Sequence, residues 1–265
     1  MTQKLGLNYR LVLLDSLESN SGLEVRNDRA EDGDGLTLDF NITRGVGASL
    51  NQMSLKIYNL SPAHQAQLYQ ARIDLTNKST RAHRPIVLQG GHDGALSLIF
   101  RGGINQAYTY RQGADLITQI EALDGILSTT LSYVNLSYAT SVTPQQIIDD
   151  LLKPLTDTDT DISKGATTLS NETAELIGDN TRGYVLFGNA YDLLQGITEK
   201  KVFIDLGEIN ILDDGECKRP LSVRVIDAST GLLGVPKLDG LKITIETIFE
   251  PRVNVGEFIE IRSSI

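Results

Sequence analysis

The sequence predicts a mainly β protein interrupted by a small α/β segment, and three observations carry that expectation. Apolar and polar residues alternate in short runs through the first half. The middle holds two stretches of helical periodicity. The last third strings together a Gly/Pro loop, a period-2 run and a Pro/Gly turn. These are Thr230-Gly231-Leu232-Leu233-Gly234-Val235-Pro236, then Leu241-Lys242-Ile243-Thr244-Ile245, then Glu250-Pro251-Arg252-Val253-Asn254-Val255-Gly256.

In the first half, Leu36, Leu38, Phe40 and Ile42 alternate with Thr37, Asp39 and Asn41, and Met53, Leu55 and Ile57 alternate with Ser54 and Lys56. Each run has one dry face. Leu96, Leu98 and Phe100 continue the pattern after a turn at His92-Asp93-Gly94, as do Leu116, Thr118, Ile120 and Ala122 after Gln112-Gly113. About six strands between Asn8 and Asp124 describe a small barrel or sandwich. One helix interrupts them, with Ser61 as N-cap, Pro62 at the first helical position and Ala66, Tyr69 and Ile73 on one face.

Thr143-Pro144-Gln145-Gln146 then forms a capping box with proline at the first helical position, and Val142 with Ile147 supplies a hydrophobic staple. Ile147, Ile148, Leu151, Leu152 and Leu155 mark an amphipathic stripe that Pro154 is expected to end. A second helix starts near Asn189 and turns Ala190, Leu193, Leu194 and Ile197 inward. It leads into a hairpin of Lys201–Asp205 with Glu208–Ile211. Thr156 to Gly178 is polar and reads as a loop with at most one short strand.

With 265 residues, 40% of them hydrophobic, the chain can bury a core and has the length of one large or two ordinary domains. Its longest apolar runs are about five residues, far short of the roughly 20 that a membrane helix requires. Met1 to Leu7 lacks the apolar core and cleavage site of a signal peptide, which predicts assembly in the cytosol. The single Cys217 cannot form an intrachain disulfide. A net charge of −10 argues against holding nucleic acid, because Lys and Arg contacts to phosphate dominate that affinity. It is compatible with solubility alone, and with a channel past which DNA slides without sticking.

Candidate chemistry fails residue by residue. Asp157, Asp159 and Asp161 resemble the first ligands of a calcium loop, but Ile162 stands where glycine is needed and Thr168 where the bidentate glutamate belongs. Asp32-Gly33-Asp34-Gly35 reads as a hairpin turn. His64, His83 and His92 have no metal-ligand spacing. Ser49, Ser61 and Ser79 lack a nucleophile elbow. Cys217, beside Lys218 and Arg219, reads as a bystander thiol. Gly45-Val46-Gly47 lacks the third glycine and the helix of a phosphate loop. Glu31/Asp32 and Asp149/Asp150 read as solvated surface rather than glycosidase carboxylates. No catalytic residue, metal ligand or cofactor is assigned, and no enzymatic activity is expected.

Several of these segments occur in an order that resembles the phage tail baseplate hub proteins, the late control protein D group. Leu36-Thr37-Leu38-Asp39-Phe40, Lys56-Ile57-Tyr58-Asn59-Leu60-Ser61, Gly90-Gly91-His92-Asp93-Gly94 with Ile99-Phe100-Arg101-Gly102, and Gln119-Ile120-Glu121-Ala122-Leu123-Asp124-Gly125 resemble the family's opening strands and turns. Thr230 to Pro236 resembles its closing loop, so the resemblance runs from about Leu36 to Arg262. His92 stands where the family usually has Tyr, and Phe203 where a Trp is common.

The resemblance implies two tail-tube-like β-barrels plus a small α/β domain: residues 1–128 as the first barrel with one helix, 129–217 as the insertion with two helices and a hairpin, and 218–265 as strands completing the second barrel. It further implies a homotrimeric virion structural protein in the tail, forming a ring that continues the tail tube. Expected neighbours are the tail tube or distal tail protein, the tape measure protein and a central spike or tip protein, with DNA passing through unbound. The rival expectation is a tail-tip enzyme that degrades the cell envelope, or a carbohydrate-binding module. The absence of Trp and an aromatic content of 6% count against sugar-stacking platforms.

Overall fold

A computed structural model describes residues 7–14, 22–27, 35–47, 49–73, 84–92, 94–139, 142–157, 162–168, 183–199, 201–221 and 223–263. The fold is mainly β. Seven antiparallel strands form the first sheet: β1 (Leu7–Leu14), β2 (Gly22–Arg26), β3 (Leu38–Thr43), β4 (Gln52–Tyr58), β5 (Pro85–His92), β6 (Ala95–Gln112) and β7 (Asp115–Leu123). Their order is β2-β1-β5-β6-β7-β4-β3. The ladder ends at β2 and β3, so the sheet is open, and among the described residues no sheet closes into a barrel.

The sheet nevertheless curls around one core. Leu11 and Leu13 of β1, Leu55 and Ile57 of β4, and Phe100 and Ile120 of the central strands are all buried in a single cluster. The curl comes from β6, which is 18 residues long and serves two neighbours. Residues 95–103 pair with β5 and residues 103–112 with β7. The pivot is Gly102-Gly103, and a Cβ on Gly102 would collide with the carbonyl of Leu123.

A bulge at Ile99 shifts the register, because Leu88 faces Phe100 while Gln89 faces Leu98. Ile99 and Phe100 are therefore both buried, and Leu96 and Leu98 are only half-buried, where strict alternation predicts a dry Leu96/Leu98/Phe100 face. Helix α1 (Pro62–Ile73) is capped as expected, with Ser61 Oγ accepting from the His64 amide at 3.3 Å. Among its described side chains Leu68 is buried and Ala66 is exposed. The side chains of Tyr69 and Ile73 lie outside the described residues.

The middle segment builds a second core. It contains α2 (Ile126–Leu131), β8 (Tyr133–Tyr138), α3 (Pro144–Asp157), β9 (Ser163–Thr167), β10 (Tyr184–Asn189), α4 (Ala190–Ile197), β11 (Val202–Asp205) and β12 (Glu208–Ile211). Thr143 accepts from the Gln146 amide, and Val142 packs on the cluster that holds Ile147, as the capping box and staple require. Helix α3 does not stop at Pro154. It runs on to Asp157 because Leu155, fully buried, continues the apolar stripe, and packing outweighs the one hydrogen bond that proline lacks. The Pro154 carbonyl instead accepts from Ser132 Oγ at 2.9 Å.

Asn189 caps α4 by accepting from the amides of Tyr191 and Asp192 at 2.9 and 3.2 Å. The β11–β12 hairpin turns on Leu206 and Gly207, both with positive φ (55° and 78°), and β12 pairs with β9 in parallel. Strands β8 and β10 form an antiparallel pair whose inner face, Val134, Leu136 and Leu186, packs on this second core. The last segment gives a parallel pair of β13 (Arg224–Ile226) with β16 (Ile259–Ile261), and a ribbon of β14 (Leu232–Asp239) with β15 (Lys242–Thr247). Neither pair is hydrogen-bonded into the strands of the middle segment among the described residues.

Candidate functional site

Two features stand out: a buried ionic node that ties the three segments together, and apolar sheet faces left open to solvent. At the node, Asp205 closes β11 with no exposed surface. Its carboxylate accepts two 2.8 Å hydrogen bonds from Arg44, one from Asn51 at 3.0 Å and one from Lys218 at 3.3 Å. Arg44 also donates to Asn254 Oδ1 at 3.1 Å, and Asn51 to the Ile204 carbonyl at 2.9 Å. The β3–β4 loop, the β11–β12 hairpin and the last segment therefore meet at one carboxylate. Nearby, buried Asp124 at the end of β7 accepts from the Gly207 amide at 3.2 Å. Paired and hydrogen-bonded in this way, a buried charge is retained; alone it would be strongly unfavourable.

The β14–β15 ribbon is amphipathic, with both faces largely open. Its register puts Leu232, Leu238, Ile243 and Ile245 on one face and Lys237, Asp239, Lys242, Thr244 and Glu246 on the other, where the half-exposed Leu233 sits opposite Glu246. Leu238 is 74% exposed, and Leu241 at the tip is fully exposed. The β8–β10 pair repeats the theme. Its outer face carries Tyr133, Val185 and Phe187, each about 70% exposed or more, beside Asn135 and Ser137. Tyr138, on the inner face, donates to Asp150 at 2.9 Å, and burial together with that carboxylate holds its hydroxyl well above the usual tyrosine range.

The sequence-derived candidates fall as follows. His92 shares a hydrogen bond with the Phe249 carbonyl at 3.1 Å and meets the Phe249 ring edge-on, which fixes the last segment against the first sheet. Cys217 is buried and free, while Lys218 turns to Asp205 and Arg219 to Glu257. Asp149 accepts from Lys164 at 2.8 Å, and that hydrogen bond lowers its pKa. The Gly45 amide donates to Asn51 in the β3–β4 loop, with no helix following. Asp157 ends α3, whereas Asp159, Asp161, Glu31, Asp32, Asp34, Ser79 and His83 lie outside the described residues. Among the described residues no group of three His, Cys, Asp or Glu is arranged to hold a metal.

Sequence reasoning missed the node. One signal was present: Asp205 directly ends the apolar run Val202-Phe203-Ile204, which reads as a buried strand, and Asp is almost never fully buried unless paired.

The sequence matches no family model, and no curated protein matches it. Among solved structures, the chain is similar to the 43 kDa tail protein of prophage MuSo2 from Shewanella oneidensis, at 12% identity and a TM-score of 0.47 over 97% of this chain and 73% of that one. A tail protein from Neisseria meningitidis MC58 gives 10% identity and a TM-score of 0.47 over 98% and 72%. An Escherichia coli component of the type VI secretion system gives 11% and 0.44 over 77% and 53%.

Proposed function

We propose that this chain is a structural hub of a phage tail tip or baseplate, a homotrimer whose ring continues the tail tube, joins it to tip proteins and surrounds the path of the tape measure protein and then DNA. The observation that supports this most is where the hub-like motifs fall. Four of them contain a residue that the local backbone geometry favours.

Asn59, at the end of Lys56-Ile57-Tyr58-Asn59, has φ 58°, and its side chain accepts from the Leu116 amide at 3.0 Å. In Gly90-Gly91-His92, a Cβ on Gly91 would collide with the Ala95 carbonyl across the β5–β6 hairpin. Asp124-Gly125 places a buried acid under the Gly207 amide, and Gly125 has φ 67° with Ile162 and Ile204 side chains 2.8 Å from any added Cβ. The Thr230-Gly231 loop hangs on Asp227, which accepts from the amides of Ser229 and Thr230 at 2.8 and 3.0 Å.

In this reading residues 1–128 and 218–265, the latter with strands of the 129–217 insertion, are the tube-like units. The edges at β2 and β3, unpaired among the described residues, and the two-stranded ribbons complete their ladders only in the ring, because unpaired edges invite pairing with another chain. The excess of acidic residues then faces DNA with a repelling lumen. Electron cryomicroscopy of assembled tails tests the proposal. Threefold density around an acidic lumen is expected; copies placed away from any axis would overturn the hub, and a predominantly basic lumen would overturn the conduit.

A further inference from the structure

A two-stranded ribbon is marginal in water, and one with an apolar face is stable only when that face is covered. The β14–β15 ribbon leaves Leu238 and Ile243 74% and 54% exposed, directly opposite one another in register. A second uncovered apolar face, of the same type and on the same chain, is the outer side of β8–β10, where Val185 and Phe187 are 68% and 77% exposed. Contiguous exposed apolar surface rimmed by polar residues marks an interaction site. A chain carrying two such faces covers both with a single kind of contact by placing one against the other on a neighbouring copy, which is a head-to-tail contact.

Charge favours that arrangement over like-with-like pairing. Residues 129–200 hold ten acidic against four basic side chains, whereas residues 218–265 hold seven basic against six acidic. Two insertions brought together would repel; an insertion meeting the near-neutral last segment would not. Pairing ribbon on ribbon would leave every β8–β10 face wet.

We infer that the apolar face of the β14–β15 ribbon, centred on Leu238 and Ile243, docks on the Tyr133/Val185/Phe187 face of the β8–β10 sheet of the next copy. The contact is heterologous and repeats around the ring. It rests on the ring proposed above and names the surfaces that build it. The ribbon is held for the task at its base, where Ile248 donates to the Gly231 carbonyl at 2.8 Å and Phe249 enters the first core.

The test uses the full chain with Leu238→Asp and Phe187→Asp, both at exposed positions, and circular dichroism melts to verify that each variant folds as the wild type does. Light scattering coupled to size exclusion gives the mass. Wild type is expected as a closed oligomer, and each variant alone as a monomer at tens of micromolar. Mixed together, the two variants are expected to give a one-to-one dimer, since Leu238→Asp keeps an intact sheet face and Phe187→Asp an intact ribbon. A wild-type monomer would sink the ring and the contact together. A Phe187→Asp oligomer of unchanged mass, or mixed variants that stay apart, would refute this contact while leaving the ring standing.

Discussion

Asp205→Asn is the substitution that most directly probes how the three segments are held together. The wild-type carboxylate has no exposed surface and faces two cations whose own side chains are 13% exposed for Arg44 and 6% for Lys218. The amide keeps the volume but removes the charge, leaving both cations buried without an anion at that position. Breaking a buried pair from one side destabilises by about 3–5 kcal/mol. For a chain of this size each kcal/mol lowers the melting temperature by roughly 2–4 °C, so a fall of about 6–20 °C is expected. Differential scanning calorimetry reads it.

The contrast is Lys164→Met, whose pair with Asp149 is half exposed on both sides and contributes at most about 1 kcal/mol. Replacing the node wholesale, with Asp205→Leu, Arg44→Met and Lys218→Met, should recover much of the loss, because an apolar node leaves no orphan charge. A shift below about 2 °C for Asp205→Asn, or equal shifts for Asp205→Asn and Lys164→Met, would refute the account.

Two further outcomes follow from single positions, and a third concerns activity. Gly256 has φ 76°, and an added Cβ would lie 2.9 Å from both Leu212 and Phe203, so Gly256→Ala should destabilise by about 1–3 kcal/mol in urea titrations. Burial pushes the Glu250 carboxyl up, but hydrogen bonds from Arg252 and the charge of Arg224 outweigh it and hold the pKa below the usual 4.5. Its stabilisation is therefore complete above pH 4.5 and disappears as the pH falls through the lower folded-state value; Glu250→Gln should flatten that acid limb of the melting curve. Hydrolysis of peptidoglycan, polysaccharide and peptide substrates should stay at background, and activity abolished by one carboxylate substitution would contradict the structural role.

Much of the β architecture was legible because alternation on a half-buried sheet is a strong signal, as Met53, Leu55 and Ile57 illustrate with all three buried. The α3 stripe was equally plain, and its end was misplaced because Pro154 signals a stop that local sequence cannot weigh against the burial of Leu155. The bulge at Ile99 left no mark in composition. Strands β8 and β10 escaped notice for a different reason: their outward positions carry aromatic or apolar residues at Tyr133 in β8 and at Val185 and Phe187 in β10, which blurs the alternation. The node was hardest, since Arg44 and Asp205 lie 161 positions apart and only the fold brings them together.

The length of β6 has a kinetic meaning. It bonds only to the strands next to it in sequence, so β5, β6 and β7 form a meander whose contacts span Pro85 to Leu123. The flanking pairings, β1 with β5 and β4 with β7, join residues some sixty or more positions apart. Loop closure grows more unfavourable with separation, so the meander, like the equally local β1–β2 and β3–β4 hairpins, should become ordered before these two long-range pairings. Pulse-labelled hydrogen exchange would then protect the β5 amides that bond to β6 before the β5 amides that bond to β1, and the long strand would act as the template on which both flanks of the sheet are laid down.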